Sequence, residues 1–164
     1  MKAVDRSNVG LCLDTFQTAG GEWADPSTTS GLIEGQGGRA AMEKRFRESL
    51  RDMSATIPAE KIYILQISDA YKPPKPLNPD PDESGLPPRG RWSMNLRPMP
   101  FDGGYLPVVE VARAVLQTGF RGWFSMEVFD GGPGGDDTEW KDLGKYTEKA
   151  MRAHERLLRE AAES

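Results

Sequence analysis

Three apolar runs in the chain end on a residue whose side-chain oxygen can hold a metal ion. They are Val9-Gly-Leu-Cys-Leu-Asp14, Ile62-Tyr-Ile-Leu-Gln66 and Gly122-Trp-Phe-Ser-Met-Glu127. Two carboxylates and an amide form a hard oxygen set, suited to Mg²⁺, Mn²⁺, Co²⁺ or a similar divalent ion. Any one of these residues alone is an ordinary polar residue at the end of a strand. Three of them at equivalent positions favour a shared metal site at Asp14, Gln66 and Glu127.

A second constellation is Arg91-Trp-Ser-Met-Asn-Leu-Arg97. Arginine presents a planar fork of donors to a carboxylate, and a nearby hydroxyl adds another. Ser93 and Arg97 are therefore candidates for binding a small-molecule carboxylate, whereas Arg89 and Arg91 read as surface arginines. Gln17, three residues past Asp14, either touches substrate or bonds to loop backbone. Asp69 is either a partner of the site or the start of a turn. The sole histidine, His154, falls in a helix far from any strand end and reads as a solvated residue. Gly131-Gly-Pro-Gly-Gly lacks the Gly-Lys-Ser/Thr ending of a phosphate loop.

These residues need elements to position them. Near-continuous apolar runs of this length read as parallel strands, at about residues 9–14, 61–67 and 122–127. Helical periodicity covers about 39–54, with Ala41, Met42, Phe46 and Leu50 on one face. It recurs over about 107–118, with Pro107 in the first turn and Gly119 as the C-terminal cap. A final helix is predicted over 138–162, with Leu143, Tyr146, Ala150, Leu157 and Leu158 as its buried stripe. Segments 17–38 and 69–106 read as long loops, rich in Gly and Pro respectively. Strand and helix alternate, which means α/β with a parallel sheet. Both long loops follow strands, on the face where α/β barrels build their active sites. Three strands do not close an eight-stranded barrel, so the chain reads as the last three βα units of one.

The chain has 164 residues and a formal charge of −4, which argues against a nucleic-acid partner. No apolar run approaches a membrane span, and the start, Met1-Lys-Ala-Val-Asp-Arg, does not read as a signal peptide. The one cysteine, Cys12, excludes an internal disulfide and is expected to be a small buried strand residue. Together these predict a soluble cytoplasmic protein.

Asn8-Val-Gly-Leu-Cys-Leu-Asp-Thr-Phe-Gln17, Leu65-Gln-Ile-Ser-Asp-Ala70 and Phe124-Ser-Met-Glu-Val-Phe129 resemble the xylose-isomerase-like TIM-barrel superfamily. Within it they look most like 3-dehydroshikimate dehydratases of fungi and bacteria. The resemblance implies a (β/α)₈ barrel with a divalent metal held by Glu, Asp, Gln and Glu. Residues 1–164 are then a partial barrel domain lacking the N-terminal strands, among them the one expected to carry the first metal Glu. The activity implied is a metal-dependent lyase converting 3-dehydroshikimate to protocatechuate in quinate and shikimate catabolism. Ser93 and Arg97 match the family's contacts to the substrate carboxylate. Gln17 takes the place of a His proposed for proton transfer in bacterial members, which makes it the catalytic candidate. The alternatives are a sugar isomerase or epimerase of the same superfamily, and a non-catalytic half-barrel interaction module. Three strands with open edges are expected to self-associate or to pair with a complementary half-barrel.

Overall fold

A computed structural model describes Arg6, residues 8–137 and residues 142–163. Three parallel strands form the central sheet: β1 (Leu11–Asp14), β2 (Ile62–Ile67) and β4 (Trp123–Met126), in the order β1-β2-β4. Their register sets Asp14 beside Gln66 and Gln66 beside Ser125. Glu127 extends the ladder through its N–H to the Ile67 carbonyl at 3.0 Å. The helices are α1 (Thr15–Glu22), α2 (Gly38–Thr56), α3 (Pro88–Asn95), α4 (Val108–Gln117) and α5 (Leu143–Ala162). The expected α/β architecture of an incomplete barrel, three parallel strands with helices packed outside, is what the chain adopts.

Side chains alternate across a pleated sheet. The face toward the helices carries Leu13, Leu65, Ile67, Phe124 and Met126, and it builds the core with Val111 and Val115 of α4 and Phe46 and Leu50 of α2. Leu65, Ile67, Val111 and Val115 are fully buried. Each such side chain contributes about 1.5–3 kcal/mol of hydrophobic stabilisation. The other face carries Cys12, Asp14, Ile64, Gln66, Trp123 and Ser125. In a closed barrel this face lines the interior; here Trp123 is 80% exposed. Cys12 is exposed as well, which corrects the expectation of a buried cysteine. Its run is apolar because one face packs on helices, not because both do.

The segment expected to be a loop from Gln17 begins with α1 instead. Asp14 caps this helix, accepting from the Phe16 and Gln17 N–H groups. Gly20 and Gly21 disfavour helix, yet burial of Phe16 and Ala19 overrides them, and Gly20 lets the Trp92 ring approach: a Cβ there would lie 3.0 Å from it. The second predicted loop also contains structure, α3 and the two-residue strand β3 (Leu96–Arg97). β3 pairs antiparallel with β5 (Phe129–Asp130) in a small second sheet. Pro107 precedes α4 as its N-cap, and Gly119 takes φ +92° after its C-terminus, as the cap reading requires. α5 begins at Leu143; residues 138–141, where its start was predicted, lie outside the described residues. Its buried stripe is Ala153, Leu157 and Ala161, while Leu143 and Leu158 are exposed. Half-buried His154 stacks on Phe124, with centroids 5.6 Å apart.

Asp69 ties both ends of the second long segment together. Its Oδ1 accepts from the Ala70 N–H at 2.7 Å and the Leu106 N–H at 2.8 Å. Gly104 packs against this carboxyl so closely that a Cβ there would lie 2.1 Å from Asp69 Cγ. Gly104→Ala must displace a buried, bonded side chain, and a loss of about 3 kcal/mol is expected in urea unfolding. Burial raises the Asp69 carboxyl to about 6, against the pull of the Leu106, Ala70 and Tyr105 backbone N–H groups. The folded state thus holds this proton more tightly than the unfolded chain does. Stability contributed by Asp69 is complete at low pH, falls as pH rises from about 4 to about 6, and stays lower above that, by about 2–3 kcal/mol. In Asp69→Asn this part of the pH dependence should vanish, as read from urea midpoints between pH 4 and 7.5.

Candidate metal and carboxylate site

The C-terminal ends of β1, β2 and β4 open on one cleft of about 550 Å³. Cys12, Asp14, Gln17, Glu22, Gln66 and Glu127 line it. The three oxygen-bearing residues singled out in the sequence thus come together on one rim. Their placement follows from the register: Asp14 ends β1 beside Gln66, the next to last residue of β2, and Glu127 follows β4 directly, two residues past Ser125, which pairs with Gln66.

The geometry around them is dominated by Arg97. This side chain is 2% exposed. Its Nη2 donates to Asp14 Oδ2 and to Glu127 Oε2, both at 2.8 Å. Nε donates to Ser68 Oγ at 2.9 Å, and Nη1 reaches Ser93 Oγ at 3.4 Å. The guanidinium also lies over the Phe16 ring, 4.5 Å from its centroid, and 5.4 Å from that of Phe129. β3 delivers Arg97 to this point, and its pairing with β5 holds it beside Glu127. Ser93 sits one helical turn earlier on α3, half-buried at the edge of the same cluster.

Asp14 is almost fully buried and does two jobs at once. Oδ1 caps α1, taking the Phe16 N–H at 2.7 Å and the Gln17 N–H at 3.2 Å. Oδ2 faces Arg97. Burial pushes the Asp14 carboxyl above the usual carboxylate range, Arg97 pulls it back, and the adjacent Glu127 carboxyl pushes it up again. Gln66 Oε1 accepts from the Cys12 thiol at 3.1 Å. Partial desolvation and the Asp14 and Glu127 charges raise the Cys12 pKa, so the sulfur is protonated and donates. Gln17 is exposed at the cleft wall and touches Asp14 through its backbone N–H alone.

Two further residues went unnoticed in the sequence. Thr15 Oγ1 donates to the Ser68 carbonyl at 2.6 Å and accepts the Ser68 N–H at 3.0 Å. This reciprocal pair locks the ends of β1 and β2, and Ser68 Oγ then orients Arg97. Ser68 follows Gln66 by two, so strand alternation places it on the same face. That was the available signal.

The donor set suits a divalent ion. It consists of oxygens only, two of them on carboxylates, and the carboxylates converge on one positive group, the Arg97 guanidinium. Among the described residues no cluster of three or more His, Cys, Asp and Glu forms, so a metal here would need the Gln66 amide oxygen, which accepts from the Cys12 thiol in this structure, beside the two carboxylates. A carboxylate–amide set of this kind is unlike a thiolate or imidazole zinc site.

A family profile described as xylose isomerase-like TIM barrel matches residues 1–157. The chain belongs to the xylose isomerase-like TIM barrel family. Over 139 residues it is 36% identical to a 3-dehydroshikimate dehydratase of Neurospora crassa, a match covering 79% of this chain and 36% of that protein. The chain therefore spans little more than a third of that curated relative. Two solved structures share the xylose isomerase-like fold. One is a xylose isomerase-like TIM barrel/4-hydroxyphenylpyruvate dioxygenase fusion protein, with a TM-score of 0.60, 22% identity, and coverage of 95% of this chain and 18% of that one. The other is an IOLI protein solved with a zinc atom bound, with a TM-score of 0.56, 20% identity, and coverage of 99% and 42%. Among the described residues no helix is long and apolar enough to cross a membrane.

Proposed function

We propose that this chain is the C-terminal part of a metal-dependent lyase of the 3-dehydroshikimate dehydratase type. The observation that carries the reading is the meeting of Asp14, Gln66 and Glu127 on one open cleft, with a buried arginine between the carboxylates. The 36% identity to a dehydratase supports it. Asp14, Gln66 and Glu127 would hold the divalent ion, Mg²⁺, Mn²⁺ or Co²⁺. When bound, such an ion supplies Lewis-acid stabilisation of negative charge next to a ketone. The zinc atom bound in the IOLI structure is consistent with a metal in this fold.

The chain's own groups bind and orient. Arg97 supplies the charge for a substrate carboxylate, and Ser93 lies beside it. Gln17, on the first turn of α1, reaches over the cleft and can hydrogen-bond a substrate hydroxyl or hold a water. As a neutral amide it orients a proton donor or acceptor and does not itself abstract a proton. The 36% identity is to a dehydratase, and a neutral sugar offers no carboxylate to the Ser93–Arg97 pair, so the dehydratase reading is preferred over a sugar isomerase or epimerase. Cytoplasmic location and a place in quinate and shikimate breakdown belong to the same proposal.

The test is turnover of 3-dehydroshikimate, followed by formation of the aromatic product. It should be run on this chain and on an upstream-extended form in which further barrel strands precede Met1. Metal-dependent turnover by the extended form, abolished by a chelator and restored by Mn²⁺, is the expected result. No turnover by a folded, Mn²⁺-loaded extended form would overturn the reading.

A non-catalytic interaction role is favoured by one observation, the open inner face with Trp123 and Cys12 exposed. Two sheet edges and this face call for a complementary half-barrel or for self-association. Light scattering should give a mass above that of one chain, and Trp123→Ser should lower it. A monodisperse monomer would count against an association surface.

A further inference from the structure

We infer that Arg97 is a built-in counter-cation that competes with the metal for Asp14 and Glu127, so that metal loading controls whether its guanidinium is free to meet a substrate carboxylate. This rests on the metal reading of the cleft and adds a regulation to it. The observation is the double bridge from one nitrogen: Arg97 Nη2 lies 2.8 Å from Asp14 Oδ2 and 2.8 Å from Glu127 Oε2. For Asp14 that oxygen is the one left, since its Oδ1 is committed to the α1 backbone. Two carboxylates this close, one of them almost fully buried, need a positive charge between them. A guanidinium and a divalent ion cannot both take the same lone pairs.

The arginine is also built to stay near after losing that bridge. Its Nε is held by Ser68 Oγ and its plane rests on Phe16, so neither anchor involves the metal residues. Only Nη2 contacts the carboxylates, and Nη1 makes a single long contact to Ser93 Oγ at 3.4 Å. The distal end of the fork is therefore the part whose partners change. A metal held by Asp14 and Glu127 would leave that end to Ser93 and to an incoming carboxylate. Without it, the fork is spent on Asp14 and Glu127. The coupling is reciprocal: a carboxylate ligand that draws Arg97 away strengthens metal binding by the same factor that metal strengthens carboxylate binding.

The test is calorimetric titration of Mn²⁺ into the full chain and into Arg97→Gln and Arg97→Lys, with circular dichroism confirming the fold of each. A merely structural arginine would weaken both stability and metal binding when removed. A competing one gives the opposite sign for the metal. Arg97→Gln is expected to bind Mn²⁺ about ten- to a hundredfold more tightly than the unmodified chain, the equivalent of one charge-assisted contact. Arg97→Lys, which keeps a cation but not the fork, should fall between them. Should Arg97→Gln unfold without metal, a rise in its melting temperature with Mn²⁺ that exceeds that of the unmodified chain supports the same conclusion. Equal or weaker Mn²⁺ binding by folded Arg97→Gln overturns the competition while leaving the metal site standing. No Mn²⁺ binding by any of the three overturns the metal reading itself, and the competition with it.

Discussion

Glu127→Ala in the upstream-extended form is expected to lower metal-dependent turnover of 3-dehydroshikimate by at least about a hundredfold. Loss even of a group that merely orients a metal ligand commonly costs 10–100-fold, and Glu127 is placed as a ligand. Its position follows β4 directly and its backbone N–H still pairs with Ile67, so the exchange leaves the ladder intact. Glu127 is partly exposed, at 28% of its side chain, and Asp14 keeps the Arg97 contact when it is gone. The variant should therefore fold. Steady-state kinetics with melting curves on the same samples checks this. An inactive but normally melting protein is the expected outcome; unaltered turnover would remove Glu127 from the site.

The second large effect is on stability. Arg97→Met keeps much of the side chain's contact with Phe16 but removes the cation between Asp14 and Glu127. Leaving a buried charge unpaired commonly costs 3–5 kcal/mol. With Glu127 partly exposed, about 3 kcal/mol is expected at neutral pH in urea unfolding. A charge-neutral double variant, Asp14→Asn with Arg97→Met, should recover part of that loss, because the repulsion has gone. An unchanged unfolding midpoint in Arg97→Met would mean that the bridge carries no stability.

Much of this site was legible in the sequence because parallel strands advertise themselves. Leu13, Leu65, Ile67, Phe124 and Met126 pack on helices, and their runs end near the end of the ladder, which put Asp14, Gln66 and Glu127 at one rim, with Glu127 two residues past the partner of Gln66. What escaped the sequence depends on contacts between distant segments. Arg97 was marked as a basic residue in a loop, but that it would be buried between two carboxylates depends on a two-residue strand pairing with Phe129–Asp130. No local pattern announces such a short strand. α1 was hidden by Gly20 and Gly21, whose low helix propensity is overridden by Phe16 and Ala19 packing and by the Asp14 cap. Cys12 was misread because an apolar run does not tell whether one face or two are covered. The stripe of α5 was displaced for a similar reason: Leu143 and Leu158 match the helical period, but the core at Val111 and Val115 takes in Leu157 and the smaller Ala161.

Asp14, Gln66 and Glu127 are expected to act together on one ion. The most direct measurement is a Mn²⁺ titration of the chain, by calorimetry or by the loss of the free-ion paramagnetic resonance signal, alongside Asp14→Asn, Gln66→Leu and Glu127→Gln. One bound ion per chain, weakened by each of the three exchanges and by none at the exposed Glu22 on the same cleft wall, is the result predicted. Binding that is indifferent to all three, or that depends on Glu22 as much as on Glu127, would contradict it.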